Sequence, residues 1–121
     1  METLKEVWSM EDSIFKTIKK LIGASESNAY FDVDIITGIN TTLMILNRLG
    51  IGPKGFKITG ESETWGELLS NNDALEGVKT YIQLNVKLIV DPPLNSTVVD
   101  CMKQMIKELE WRLNEIAESN L

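Results

Sequence analysis

Histidine is absent from this 121-residue chain. The side chain that most often serves as general base and metal ligand near neutral pH is therefore missing. Cysteine occurs once, at Cys101. No internal disulfide can form, which fits synthesis in a reducing compartment. Without histidine or a second thiol, a structural zinc site lacks its usual ligand set. Cys101 sits beside Met102 and near Val98 in an apolar helical pattern, whereas a reactive thiol needs an electropositive setting; it reads as a packing residue. No apolar run approaches the roughly 20 residues that span a bilayer. The opening METLKEVWSMEDSIF has no basic start followed by an apolar block, so no signal peptide is expected, and Met10 is an alternative start. Without secretion, the patterns NTT at Asn40 and NST at Asn95 carry no glycosylation.

A basic cluster is missing too. The net charge is −6. Residues 24–76 hold most of the excess: Glu26, Asp32, Asp34, Glu61, Glu63, Glu67, Asp73 and Glu76 stand against Arg48, Lys54 and Lys57. Gripping a phosphate backbone requires neutralising cations, so nucleic-acid binding is disfavoured. The densest basic group, Lys16, Lys19 and Lys20, has the spacing of a solvated helix face, with Asp12 four residues before Lys16 as a partner.

What is present is the 43% hydrophobic and 25% charged content of an ordinary globular chain. Its length suits one domain, residues 1–121. Leu4, Trp8, Phe15, Ile18 and Ile22 recur at helical spacing, which extends the first helix back through residues 1–9; Gly23 ends it. A second helix starts at Asp32 or Asp34 as cap and buries Ile35, Ile36, Ile39, Leu43 and Leu46, with Met44 and Ile45 widening the stripe. Gly38 and Asn40 weaken it, so packing must hold it. Gly50 and Pro53 stop it. Residues 54–74 are irregular, with GFKIT as a short extended segment and TWGELL as a short helix capped by Thr64 and Glu67.

The run YIQLNVKLIV satisfies both strand and helix periods. From Ala74 to Val90 only Gly77 interrupts, which is long for a strand, and no second strand offers pairing. It therefore reads as a helix buried nearly all round, stopped by Asp91-Pro92-Pro93. The last helix is capped by Asn95, Ser96 or Thr97 and carries a seam of Val98, Met102, Met105, Ile106, Leu109, Leu113 and Ile116. Glu108 and Arg112 pair four apart, and Trp111 looks outward from that seam. The fold class is thus all-α: a small bundle of four main helices and one short helix, with an irregular loop between the second and third.

Three motifs carry little chemistry. GIGPKG matches a dinucleotide fingerprint only formally, since it follows a helix and contains Pro53; it is a cap and turn. Asp32 and Asp34 are capping acids without further oxygen ligands nearby, so a metal-dependent enzyme built on them is a weak alternative. Glu61 and Glu63 form an acidic loop that is ordinarily solvated. No catalytic constellation, cofactor site or metal site emerges.

The phrases INTTLMILNRLGIGP, TWGELL, LEGVKTYIQLNVKLIVDPP and MKQMIKELEWRLN, in this order, resemble the head–tail connector, or head-completion, family of tailed phages and prophages of Gram-positive bacteria. The resemblance spans roughly Ile14 to Glu115 and rests on structural motifs. It implies a non-enzymatic virion subunit that assembles with itself into a ring of about a dozen copies below the portal protein. Such a ring extends the DNA channel and gives a tail or head-closure protein a docking surface. It implies DNA only as passing cargo, no membrane, and a place in the virion neck after assembly in the host cytoplasm. A ring subunit needs two different adhesive faces. Candidates off the helical stripes are Trp8, Phe56, Ile58, Trp65, Trp111 and Arg112, with exposed Trp and Arg favoured as anchors and Trp65 alternatively plugging the core. Glu61 and Glu63 are channel-lining candidates, since carboxylates let a duplex slide without sticking. The competing expectation is a monomeric prophage-encoded adaptor or inhibitor that binds a host protein through its acidic face.

Overall fold

The computed structural model describes residues 8–70 and 72–119. Five α-helices follow in order: α1 (Ile14–Leu21), α2 (Asp32–Arg48), α3 (Trp65–Leu68), α4 (Leu75–Val90) and α5 (Ser96–Ser119). A 3-10 turn, Asn72–Ala74, leads into α4. The described residues contain no strand, only an isolated bridge between Ser13 and Thr64. The all-α bundle of four main helices and one short one is therefore the observed architecture, and the ambiguous run before the double proline is helical.

α4 lies at the centre. Its residues Leu75, Val78, Tyr81, Ile82 and Val86 are buried, and Leu84, Leu88 and Val90 are partly covered. It packs against α2, α5 and α1. A methyl group at Gly38 of α2 would sit 3.5 Å from Val86 Cγ2 and 3.8 Å from Ile89 Cδ1. The glycine that weakens α2 intrinsically thus permits close approach of α2 to the second half of α4. On the other side, a methyl at Gly77 would sit 3.3 Å from Leu113 Cδ2, and Tyr81 Oη donates to Glu110 Oε2 at 2.8 Å. The Gly77 and Tyr81 contacts make α4 antiparallel to α5, and Asn114 Nδ2 donating to Leu49 O at 3.2 Å joins the C-terminal ends of α2 and α5, so α2 and α5 run in broadly the same direction.

α1 is shorter than its apolar spacing implies. It starts at Ile14, with Ser13 as N-cap accepting from Lys16 N at 3.2 Å. Trp8 and Ser9 precede it outside any helix, and Leu4 lies outside the described residues. The physical reason is a turn that competes with helix: Asp12 Oδ2 accepts from Ser9 N at 2.6 Å, while Gly66 N and Trp65 N donate to Met10 and Asp12 carbonyls. Asp12 is therefore spent on its own turn, and Lys16 pairs instead with Glu61 at 3.6 Å. Gly23 ends α1 with φ of +89°, and α4 side chains help satisfy the freed carbonyls: Gln83 donates to Leu21 O and Lys87 to Ile22 O.

α2 is capped by Phe31 rather than by an aspartate; Asp32 and Asp34 occupy its first turn, where carboxylates suit the dipole. Gly50 (φ +95°) closes it, with Ile51 N bonding back to Leu46 O at 3.0 Å. The Met44 side of the expected apolar stripe is solvent-exposed. Residues 54–63 form no strand; their shape is held by Asn40. Its amide donates to Ile58 O at 3.0 Å and accepts from Ile58 N at 2.8 Å, as a strand neighbour would. Thr64 and Glu67 make the expected capping box around α3, Glu67 Oε1 accepting from Thr64 N at 2.9 Å. Asn95 caps α5 through Oδ1, which accepts from Thr97 N at 2.8 Å and Val98 N at 3.2 Å.

Candidate functional site

The candidate interface residues separate by depth. Trp65 is fully buried, and its Nε1 donates to Thr17 Oγ1 at 3.0 Å beneath α3. Ile58 is 1% exposed, drawn inward by the Asn40 amide. Neither offers surface to another chain in this conformation. Both were singled out because they lie in the irregular third, and sequence position does not report that a loop is folded back onto the core. Phe56 is half-buried against the same core, and Trp8 is half-buried at the entry to the 9–12 turn. Trp111 is 63% exposed on α5, as expected, and Arg112 beside it is exposed with its Nε 3.1 Å from Glu108 Oε2.

The two acidic-loop residues differ. Glu61 is exposed and reaches Lys16. Glu63 is turned into its own loop: Oε2 accepts from Thr59 N at 3.0 Å and Thr59 Oγ1 at 2.8 Å, and Oε1 from Gly60 N at 3.4 Å. Partial desolvation opposes its charge, but the hydrogen bonds from Thr59 and Gly60 outweigh that and hold the carboxyl below the usual glutamate range. Glu63 thus works first as a loop clamp.

Among the described residues no group of three or more His, Cys, Asp or Glu is placed to hold a metal. Asp32 is committed to Lys19, 2.8 Å from its Nζ, and Lys19 in turn lies 5.6 Å over the Phe15 ring. The cleft between residues 50–53, 66–70 and the end of α5 is lined by glycines, leucines and alanines, with Glu67 and Ser70 as its polar side chains. Tyr81 has its phenol pushed well above the ordinary range by burial, by its hydrogen bond to Glu110 and by that carboxylate's charge. It ties α4 to α5 rather than facing a cavity.

Apolar surface is where the molecule has something left over. Tyr30, Phe31 and Val33 are exposed at the start of α2, with the Tyr30 and Phe31 rings edge to face at 4.7 Å. Ile89 and Leu94 are exposed around the turn between α4 and α5. Val98 and Met105, expected in the buried seam of α5, are 44% and 52% exposed; the side facing the core carries Ile106, Leu109, Leu113 and Ile116. The seam as read from sequence merges two neighbouring stripes, because steps of three and four residues fit both. Leu94 is completely exposed, a position that no periodicity rule flags because it precedes the helix. Among the described residues no helix is long and apolar enough to cross a membrane.

A family model described as phage connector protein matches residues 14–120. No curated protein and no solved structure matches the chain.

Proposed function

The chain belongs to the phage connector protein family, and from that premise we propose that it builds a ring at the head–tail junction, below the portal, extending the DNA channel and presenting a docking surface to the tail. The family is one of virion structural proteins. The observation that supports the finer role is the distribution of exposed apolar side chains. They occur at the start of α2 and along it, around the α4–α5 turn from Ile89 to Leu94, and on α5, flanking a central α4 that is otherwise largely covered. A monomer has no use for several such surfaces, whereas a subunit that must hold a copy on each side and proteins above and below uses them all. Trp111, standing out from the middle of α5 beside Arg112, is an anchor for one of those neighbours. The edge-to-face pair Tyr30–Phe31 marks one end of the bundle as a second docking face.

The passing duplex is handled by repulsion rather than grip. Glu61 remains the channel-lining candidate of the acidic loop, and Glu63 contributes by fixing that loop's shape. Light scattering and electron microscopy of the chain, alone and with its portal protein, test the reading. A ring seated on the portal is the expected result. A chain that stays monomeric beside the portal and instead captures a host protein would establish the adaptor alternative.

A further inference from the structure

We propose that the outward face of α5 in one copy receives the outward face of α2 from the next copy, the two helices lying parallel, which takes the ring as given and identifies the surfaces that close it.

α5 carries two apolar stripes, and its own chain uses one. Ile106 and Leu113 are buried on the α4 side. The other stripe, Val98, Cys101 and Met105, advances by three and four residues, the spacing of a coiled-coil seam, with Leu94 standing in the turn just before the helix, and all four residues are exposed. α2 shows a counterpart. Val33, Thr37, Thr41 and Met44 are exposed and point away from the buried Ile35, Ile39 and Leu46. Its ends are apolar and its middle is small enough for another helix to approach closely. Val33 and Met44 lie eleven positions apart, as do Leu94 and Met105, and the α2 stretch covers about 16 Å at helical rise.

Charge selects the direction. Asp34 and Arg48 are exposed at the two ends of the α2 face, and neither has an ion-pair partner among the described residues. The α5 stripe begins at a helix N-terminus, the positive end of the dipole, and runs on to Glu108. Laid parallel with Val33 beside Leu94, Asp34 meets that N-terminus and Arg48 meets Glu108. Symmetry selects the same direction. Within one copy α2 and α5 already run the same way, and neighbours in a ring of about a dozen are turned by about 30°, too little to reverse a helix. A two-fold dimer whose axis crosses these helices would present them antiparallel. The two faces are also made of different residues on different helices. That is the requirement for a head-to-tail contact.

Thr41→Cys puts a thiol opposite Cys101 in this register. Assembled with the portal protein and oxidised with diamide, the full-length variant is expected to give a covalent ladder on non-reducing gels, with peptides joined 41 to 101 by mass spectrometry. The unsubstituted chain, with one thiol, stops at a dimer. Val98→Asp, outside the core, is expected to raise the concentration for half-assembly by about tenfold or more, with the monomer's circular dichroism and unfolding midpoint unchanged. Rings that form yet yield no 41–101 peptide, that join 101 to 101, or that tolerate Val98→Asp overturn the assignment and leave the ring standing. A chain that remains monomeric beside its portal removes both.

Discussion

Replacing Asn40 with alanine isolates what holds the irregular third of the chain. The amide makes two hydrogen bonds to the backbone of Ile58, at 2.8 Å and 3.0 Å, and Ile58 is 1% exposed. Alanine leaves that N–H and C=O without partners in a place where water reaches them poorly. An unmade buried hydrogen bond costs about 1–3 kcal/mol, so the pair amounts to about 2–4 kcal/mol, the low end applying if the loop opens enough to be hydrated. Alanine returns about 0.5 kcal/mol through better helix propensity at a mid-helix site. The expected net loss is about 2–3 kcal/mol, a large share of a domain stability of about 5–15 kcal/mol. Equilibrium urea unfolding followed by circular dichroism reads it directly, as a midpoint lower by about 1 M or more with an unchanged slope. Thr41→Ala, one residue on and exposed, serves as the control and should change stability by less than about 0.5 kcal/mol. Asn40→Asp keeps the acceptor but sets a carboxylate against the Ile58 carbonyl, so its penalty should shrink as pH falls and the acid gains a proton to donate. If Asn40→Ala behaves like Thr41→Ala, the loop is held by something else and its placement over the core is wrong.

Other outcomes follow from the same geometry. Gly50→Ala must force a Cβ into a left-handed backbone (φ +95°) and to 2.9 Å from Ala117 Cβ, whereas Gly55→Ala (φ +76°) meets nothing within 4 Å; thermal melts should show the first costing more than the second, whose loss is about 1–2 kcal/mol from the backbone alone. Glu63 has a depressed folded-state pKa, so the stability it adds is present above the ordinary glutamate range and is lost as pH falls through the lower, folded value. Acid unfolding curves of Glu63→Gln should therefore lack part of the acid limb seen in the unsubstituted chain. Tyr81→Phe removes the phenol that meets Glu110 and should cost about 1 kcal/mol in urea unfolding, and absorbance titration should show one tyrosine fewer ionising in the folded chain near pH 11 than in the unfolded one.

Local chemistry made much of this fold readable. Gly50 and Asp91-Pro92-Pro93 mark the ends of α2 and α4, and the Thr64–Glu67 box and the Asn95 cap mark the starts of α3 and α5, because each acts within about one turn. The start of α1 was not readable in the same way. Trp8 continues the apolar spacing by coincidence, while the bonds that keep residues 9–12 out of the helix are donated by the N–H groups of Trp65 and Gly66 to the carbonyls of Asp12 and Met10. The irregular third failed for a related reason. Asn40 looks like a helix weakener until Ile58, eighteen residues on, is seen to need it. Exposed side chains on α5 were misread because Val98 and Met105 fit the seam on spacing alone, and only the finite width of α4 decides which residues it covers.

Much of the connection between α2 and α3 is fastened by asparagine. Asn40 holds Ile58, Asn47 reaches the carbonyls of Gly52 and Pro53, and Asn114 reaches that of Leu49. These clasps carry no charge, so dissolved ions have nothing to screen, whereas the exposed pairs Lys16–Glu61 and Glu108–Arg112 fade as salt rises. The stretch from residue 49 to 58 is therefore expected to keep one shape from dilute buffer to brine, and ionic strength acts instead on the outside of the bundle, where the charges are.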